Sequence, residues 1–347
     1  MSFRAWISLI TLILLGCVVY FGWPEILRAI NLMGSVNLWI LALLIPIQLF
    51  SYYAAGETIF SYLRSKGELK TISRAKMTRL ALEANFVNHI VPVPGAAGFS
   101  YFGWVLHHYG VSVSRSTMAQ IIKITMMFMS FVVVMILAVI VLVFDNQVNR
   151  IIIALTLILI IAVIILTVVL VYVIGNRNRI IKASGWVARV INIFVAKITF
   201  GKKNQILKLD AVEKFFTEIH QDFLAIKRDK KILIQPFLWS TLANILDVAL
   251  IGAAFLSLGF WVNPVSLFIA FGLSSLVSIF AVTPGGTGVY EAIMIAFLSM
   301  AGVPPDVSIA GTLLARAVLL AGTILFGYIF YQLTINKYGK ITQPTDL

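Results

Sequence analysis

Between Ile151 and Ile174 the chain reads IIIALTLILIIAVIILTVVLVYVI, without one charged side chain. A helix of that length, at ~1.5 Å per residue, covers the ~30 Å hydrocarbon core of a bilayer. Inside lipid no water pairs with backbone N–H and C=O groups, so a crossing segment must be a helix or part of a closed barrel. A long apolar run without alternation specifies the helix. The same reasoning places further spans at approximately 4–22, 37–59, 118–144, 232–258 and 308–334. Composition agrees: 60% of the 347 residues are hydrophobic and 12% charged, against roughly half and a quarter in soluble domains. The N-terminal run carries Arg4 and then apolar residues like a signal peptide, but bulky Tyr20, Phe21 and Trp23 follow it. It is expected to stay as a first span.

In such a chain a net charge of +13 concerns orientation and anionic headgroups before it concerns nucleic acid, and no nucleic-acid partner is expected. Cys17 is the single cysteine. It excludes an intramolecular disulfide and a cysteine-based zinc site, and no metal or cofactor is expected. No P-loop is present, so direct use of ATP is not expected.

Two more apolar stretches, 80–110 and 264–302, are interrupted by proline and glycine: Pro94-Gly95-Ala96-Ala97-Gly98 and Pro284-Gly285-Gly286-Thr287-Gly288. Proline cannot continue a helix, and glycine takes up the turn that follows. The pieces Leu80–Val93 and Phe99–Gly110 are about 21 and 18 Å as helices, too short to cross. Each broken stretch is therefore read as a re-entrant helical hairpin, which dips in and returns on the same side.

Charge supports this topology. Residues 61–79 carry six basic residues and one acid, and residues 175–231 carry thirteen basic and five acidic. The linkers 23–36, 145–150, 259–263 and 303–307 together carry two basic residues and three acids. With two hairpins, every basic segment and both termini fall on one face. That face is cytoplasmic by the positive-inside rule, which implies a multi-pass protein of the plasma membrane. Within the basic linker, Trp186, Val190, Ile193, Phe194 and Ile198 recur at helical spacing, which predicts an amphipathic helix on the inner leaflet.

Displacing the sequence by 190 residues aligns Pro46 with Pro236, Glu57 with Asp247, Asn85 and Asn88 with Ser275 and Ser278, and Pro94, Gly95 and Gly98 with Pro284, Gly285 and Gly288. With three extra residues, Lys123 then meets Arg316. The two copies enter the membrane from opposite faces, as in the inverted-topology repeats of secondary transporters. The expected fold is an all-α polytopic membrane protein, with about six transmembrane helices plus two re-entrant hairpins in an inverted-topology repeat. Residues 1–347 form one integral membrane domain, with repeat one about 37–144, the linker about 175–231 and repeat two about 232–334.

The second half of each hairpin begins at the turn, so its N–H groups and positive dipole end should lie deep in the membrane. Such an end suits phosphate or carboxylate. Candidate donors are Gly95, Gly98, Gly285, Gly286, Thr287 and Gly288; the plain alternative is that the glycines only make the turns. Ionisable groups within spans are functional candidates by default. Here they are Glu57, Glu83, Lys123, Asp247, Glu291 and Arg316, with His89 and, one turn before it, the amide of Asn85. Lys123 and Arg316 lie about one and two turns into their expected spans. Glu291 is placed to pair with Arg316, whether for structure or for substrate. Glu57 also reads as an interfacial residue, and His107 and His108 read as interfacial.

The segment TPGGTGVYEAIMIAFLSMAGVPPDVSIAGTLLAR resembles the signature of the lysylphosphatidylglycerol synthase/flippase transmembrane family. The pattern is PGG-x-G-x-x-E, a helix, a Gly-Val-Pro turn and a span bearing arginine, which puts Glu291 and Arg316 on the family's acidic and basic positions. The first copy departs from it: Phe99, not Glu, follows Gly98, and the basic position is Lys123. The resemblance implies a flippase-like domain that moves aminoacylated phosphatidylglycerol to the outer leaflet. A separate C-terminal domain of full-length members transfers the amino acid from tRNA. This chain ends at Leu347, a few residues past its last span, and synthase activity is not expected.

The leading expectation is a translocator of a phosphate-bearing, anionic lipid. The alternatives are a membrane transferase acting on phosphatidylglycerol or another lipid-linked substrate, and a scaffold for a separate cytoplasmic lipid-modifying enzyme. The membrane itself is a partner in every reading, and a second copy of the chain is a further candidate.

Overall fold

The structure is a computed structural model that describes residues 31–32, 34–90, 96–144, 150–176, 178–179, 181, 185, 209–278 and 286–338. The expected first span at 4–22 and the expected amphipathic helix around Trp186 lie outside these residues. All regular structure among the described residues is helical. In chain order the helices are α1 (Leu38–Ala42), α2 (Leu44–Ser65), α3 (Arg74–Ile90), α4 (Ala96–His107), α5 (Val113–Phe144), α6 (Arg150–Ile174) and α7 (Leu209–Arg228). A 3₁₀ turn (Lys230–Leu233) leads into α8 (Ile234–Ser257), followed by α9 (Pro264–Ser278), α10 (Val289–Met300) and α11 (Pro305–Tyr338). Five segments are long and apolar enough to cross a membrane: Leu38–Ser65, Val113–Ile140, Ile153–Ile174, Lys230–Ser257 and Pro305–Tyr338. They match the five expected spans that fall among the described residues, and the protein is an all-α polytopic membrane protein.

The chain divides into two compact units. One comprises residues 1–48, 247–281 and 286–321, and the other residues 49–246, 282–285 and 322–347. Helices α2, α8 and α11 therefore contribute to both.

In the larger unit, α3 and α4 pack side by side. Their cross-contacts run in opposite chain directions. Lys76 Nζ sits 4.8 Å from the Tyr109 ring centroid, the Tyr101 hydroxyl donates to Glu83 Oε2 at 2.7 Å, and Gly98 N–H donates to Asn88 Oδ1 at 2.9 Å. The pair is an antiparallel hairpin, closed at the end where Asn88 meets Gly98. α3 starts at Arg74, six residues earlier than expected, so Arg74, Lys76 and Arg79 lie on a helix rather than in a loop. At 17 residues it is about 26 Å long, and α4, at 12, about 18 Å.

The core around this hairpin includes Phe60, Tyr62, Leu63, Met77, Tyr101 and Leu106. Between helices in lipid, apolar contact brings no hydrophobic gain, so close packing and polar ties decide association. Asn244 Nδ2 of α8 donates to Met127 O and Ser130 Oγ of α5, at 3.1 and 2.7 Å. A Cβ on Gly327 would fall 2.4 Å from Phe86 Cβ, so α11 approaches α3 almost backbone to backbone. Apolar side chains on the outer surface of α6, among them Ile158, Ile165 and Val168, are exposed, as a membrane-crossing helix allows.

α7 was not expected as a separate element. It seats Ile219 and Ile226 in the core, with Phe215, Phe216 and Phe223 packed against it. The edge of that same face is tied to the start of α5: Ser114 Oγ donates to Glu218, and Arg115 pairs with Glu68 (2.8 Å) and Asp222 (3.6 Å).

In the smaller unit, α9 and α10 pack against each other. Residues before and at the start of α9 (Val262, Asn263, Ser266) and those after α10 (Ala301–Pro304) line one cavity of about 210 Å³. The open ends of the two helices therefore meet, and this pair is also a hairpin. α10 ends with Val303 N–H donating to Leu298 O at 3.0 Å, and Pro305 opens α11, where its missing N–H leaves nothing unpaired.

Candidate functional site

At the tip of the first hairpin, chain direction must reverse where two helices touch. A Cβ on Gly98 would lie 2.3–2.4 Å from the Asn88 amide, so only glycine permits the contact. Asn88 then caps the beginning of α4 by accepting from Gly98 N–H, which satisfies one of the amides a helix N-terminus leaves over. Beside this contact lies a cavity of about 260 Å³. Its polar lining comes from Asn85, Asn88, Gln120 and Lys123, and Ile59 and Phe102 contribute apolar walls. Gln120 Nε2 donates to Phe99 O at 3.2 Å, and Asn85 Nδ2 donates to Thr323 Oγ1 at 3.4 Å.

Among the described residues, no carboxylate lines this cavity. Lys123 therefore sets its charge, and the amides add neutral donors. Lys123 is ten residues after Val113, the first residue of α5. It lies about 15 Å along the helix, nearly three turns in rather than the single turn expected. The difference arises because α5 begins at Val113, ahead of the apolar run. An ammonium at that depth is expensive unless it meets anions, polar groups or water.

Glu83 is fully buried, and both of its carboxylate oxygens are engaged. Oε1 accepts from Arg79 Nε (2.8 Å) and Thr334 Oγ1 (2.9 Å), and Oε2 accepts from the Tyr101 hydroxyl. Arg79 also donates to Phe330 O and Thr334 Oγ1, at 3.1 and 3.0 Å. The cluster ties α3, α4 and α11 together and makes Glu83 the anchor of the hairpin. Glu57 is likewise buried, paired with Arg64 two turns further along α2.

The second hairpin brings together a different set. Gly288, at φ 88°, precedes α10, and its N–H donates to Glu291 Oε2 at 2.5 Å. Glu291 Oε1 lies 2.8 Å from Arg316 Nε, an ion pair rather than an aligned hydrogen bond. The Arg316 guanidinium stands 4.9 Å from the Tyr290 ring centroid, and Asp247 lies within electrostatic reach of Tyr290. Arg316 is eleven residues after Pro305, about 17 Å along α11. Gly286 packs on Ser278: a Cβ there would lie 2.6 Å from Ser278 Cβ. Thr287 is exposed beside it.

The structure thus gathers Asn85, Gly98 and Lys123 at one hairpin, and Asp247, Gly286, Thr287, Gly288, Glu291 and Arg316 around the other. Two amides expected to face a ligand, those of Gly98 and Gly288, are already taken by Asn88 and Glu291. Gly95, Gly285 and the His89 side chain lie outside the described residues. His107 and His108 are both exposed, and the His108 ring packs between Trp104 and Tyr338. Sequence reasoning missed Gln120, Arg64 and Tyr290 as participants. Gln120 could have been found one turn before Lys123, and Arg64 two turns after Glu57; Tyr290 carries no such signal.

A family model described as the lysylphosphatidylglycerol synthase TM region matches residues 6–327. Among known proteins, the chain is similar to the UPF0104 membrane protein MJ1595 of Methanocaldococcus jannaschii, 26% identical over 172 residues. That match spans 50% of this chain and 49% of the relative, about half the length of each. A UPF0104 membrane protein of Methanothermobacter thermautotrophicus is 25% identical over 233 residues, 67% of both chains. The matched stretch of the family model contains both hairpins, Lys123, Glu291 and Arg316 and reaches into the last long apolar helix. This multi-pass membrane protein therefore belongs to the lysylphosphatidylglycerol synthase transmembrane-region family.

Proposed function

We propose that the protein moves a phosphate-bearing, anionic lipid between leaflets, with aminoacylated phosphatidylglycerol as the substrate class suggested by the family. The observation that carries this reading is the cavity beside the Asn88–Gly98 contact, which Asn85, Asn88, Gln120 and Lys123 line, with Lys123 about 15 Å along α5. An ammonium and side-chain amides suit a phosphate that has left water. Arg316 in the second repeat is the corresponding cation, held by Glu291 until an anion competes for it. On this reading the two hairpins are re-entrant, the repeats have inverted topology within one integral membrane domain, and the basic loops and both termini face the cytoplasm of the plasma membrane.

Headgroup-labelled phosphatidylglycerol in proteoliposomes, with a membrane-impermeant quencher added outside, tests the proposal. Wild-type protein should accelerate loss of leaflet protection. Lys123→Ala and Arg316→Ala should each slow it by about tenfold or more, the equivalent of one charge-assisted hydrogen bond. Transfer at the rate of empty vesicles, or unaltered rates in both variants, would overturn it.

A further inference from the structure

A second cavity, of about 350 Å³, lies where α2 ends and α3 and α8 begin. Its charged lining is Glu57, Arg64 and Arg74, and none of these lines the hairpin-tip cavity. Glu57 is 2% exposed and is held by both terminal nitrogens of Arg64, so these two charges cancel. Arg74, exposed at the start of α3, adds one net positive charge. Its Nη1 lies 3.5 Å from the Tyr53 hydroxyl, and the Tyr53 ring meets Trp239 edge-on at 5.5 Å. The aromatic pair thereby steadies the arginine at the mouth of the cavity.

The remaining wall comes from one face of α8. Gln235, Leu238, Trp239 and Leu242 follow the i, i+3, i+4, i+7 spacing of a single helical stripe. Gln235 and Trp239 offer neutral N–H donors. Leu238 is exposed, as is Ile234 one turn earlier, so this edge continues into an exposed apolar surface. A cavity with guanidinium donors, one net positive charge and an apolar flank matches a ligand with one negative charge, planar acceptor pairs and hydrocarbon beside it. Phosphodiesters meet the first two conditions, because guanidinium binds phosphate through two parallel hydrogen bonds. The volume sits at the low end of ligand pockets, about 300–1,000 Å³, enough for a headgroup with its chains outside.

We propose that this cavity binds an anionic phosphodiester headgroup through Arg74, beside the Glu57-paired Arg64, with the acyl chains lying along Leu238 and Leu242. The inference goes beyond translocation, since binding here requires no transport. It is tested by equilibrium binding, using native mass spectrometry of the purified full chain titrated with phosphatidylglycerol, phosphatidylcholine or glycerophosphoglycerol. Lys123→Ala protein is the background, so loss of transport does not remove the signal. Phosphatidylglycerol should bind in preference to phosphatidylcholine. Arg74→Gln should weaken it about tenfold, whereas Glu57→Gln, which releases Arg64, should tighten it several-fold. Because Arg74 is exposed, its variant should melt with the background protein. Competition by glycerophosphoglycerol would show that the headgroup suffices, and its absence with intact lipid binding would show that Leu238 and Leu242 contribute; both support the site. Equal affinities for the two lipids, or no dependence on Arg74, would overturn it.

Discussion

At the scale of single residues, the hairpin depends on contacts that leave no spare volume. Alanine at Gly98 would drive a methyl group into the Asn88 amide, and overpacking of this kind costs about 1–3 kcal/mol. Gly98→Ala should therefore lower the melting temperature in detergent. Asn88→Ala in the same chain should recover part of the loss, since it removes the obstructing amide. If the two effects simply add, the contact is not what matters. Glu83 is held by a different force. Removing one member of a buried ion pair strands the other and costs about 3–5 kcal/mol, and the 31% exposure of Arg79 places this case near or below the lower end. Glu83→Ala should markedly destabilise the protein, with lysine-independent loss of transport, while Lys123→Ala should spare the melting temperature and reduce transport alone. Comparing melting and transport for the two variants separates anchor from ligand group.

At the scale of elements, α7 shows how amphipathicity acts outside lipid. Its packed face buries Ile219 and Ile226, and Glu218 and Asp222 at the edge of that face meet Ser114 and Arg115 of α5. Where such a helix meets water, the hydrophobic effect applies, and full burial of an isoleucine contributes about 1.5–3 kcal/mol. Ile219→Asp should unseat α7 and expose the Lys227–Arg228 bond to trypsin in folded protein, with a cleavage rate several-fold above wild type. Unchanged proteolysis would show that the polar ties hold the helix unaided. The hairpin helices follow the opposite logic. If the α3–α4 hairpin is re-entrant, as proposed, its stability comes from the Glu83 cluster and close packing rather than from removal of apolar surface from water.

At the scale of the whole molecule, the charge pattern makes a topological prediction. In a Cys17→Ser background, a single cysteine at Gly110 should be labelled from the cytoplasmic side and one at Asp306 from the outside. That result follows from basic residues 61–79 and 175–231 on one face and near-neutral linkers on the other. Labelling of both from the same side would remove the inverted arrangement on which the translocation proposal rests, without affecting the Arg74 cavity.

Much of this was legible in the amino-acid sequence. Long uncharged runs determine membrane helices because unpaired backbone groups are not tolerated in hydrocarbon, and the Pro-Gly elements mark breaks because proline withdraws a backbone donor deep in an apolar run while glycine takes up the turn. The PGGTG element with Glu291 and Arg316 also carried the family. Tertiary structure alone decided what the polar groups meet. Glu83 and Lys123 look alike as isolated charges in apolar sequence. One is surrounded by Arg79, Tyr101 and Thr334, and the other lines a cavity with Asn85, Asn88 and Gln120. That distinction depends on side chains as much as 251 residues away in the chain, and local pattern contains no information about such distant partners.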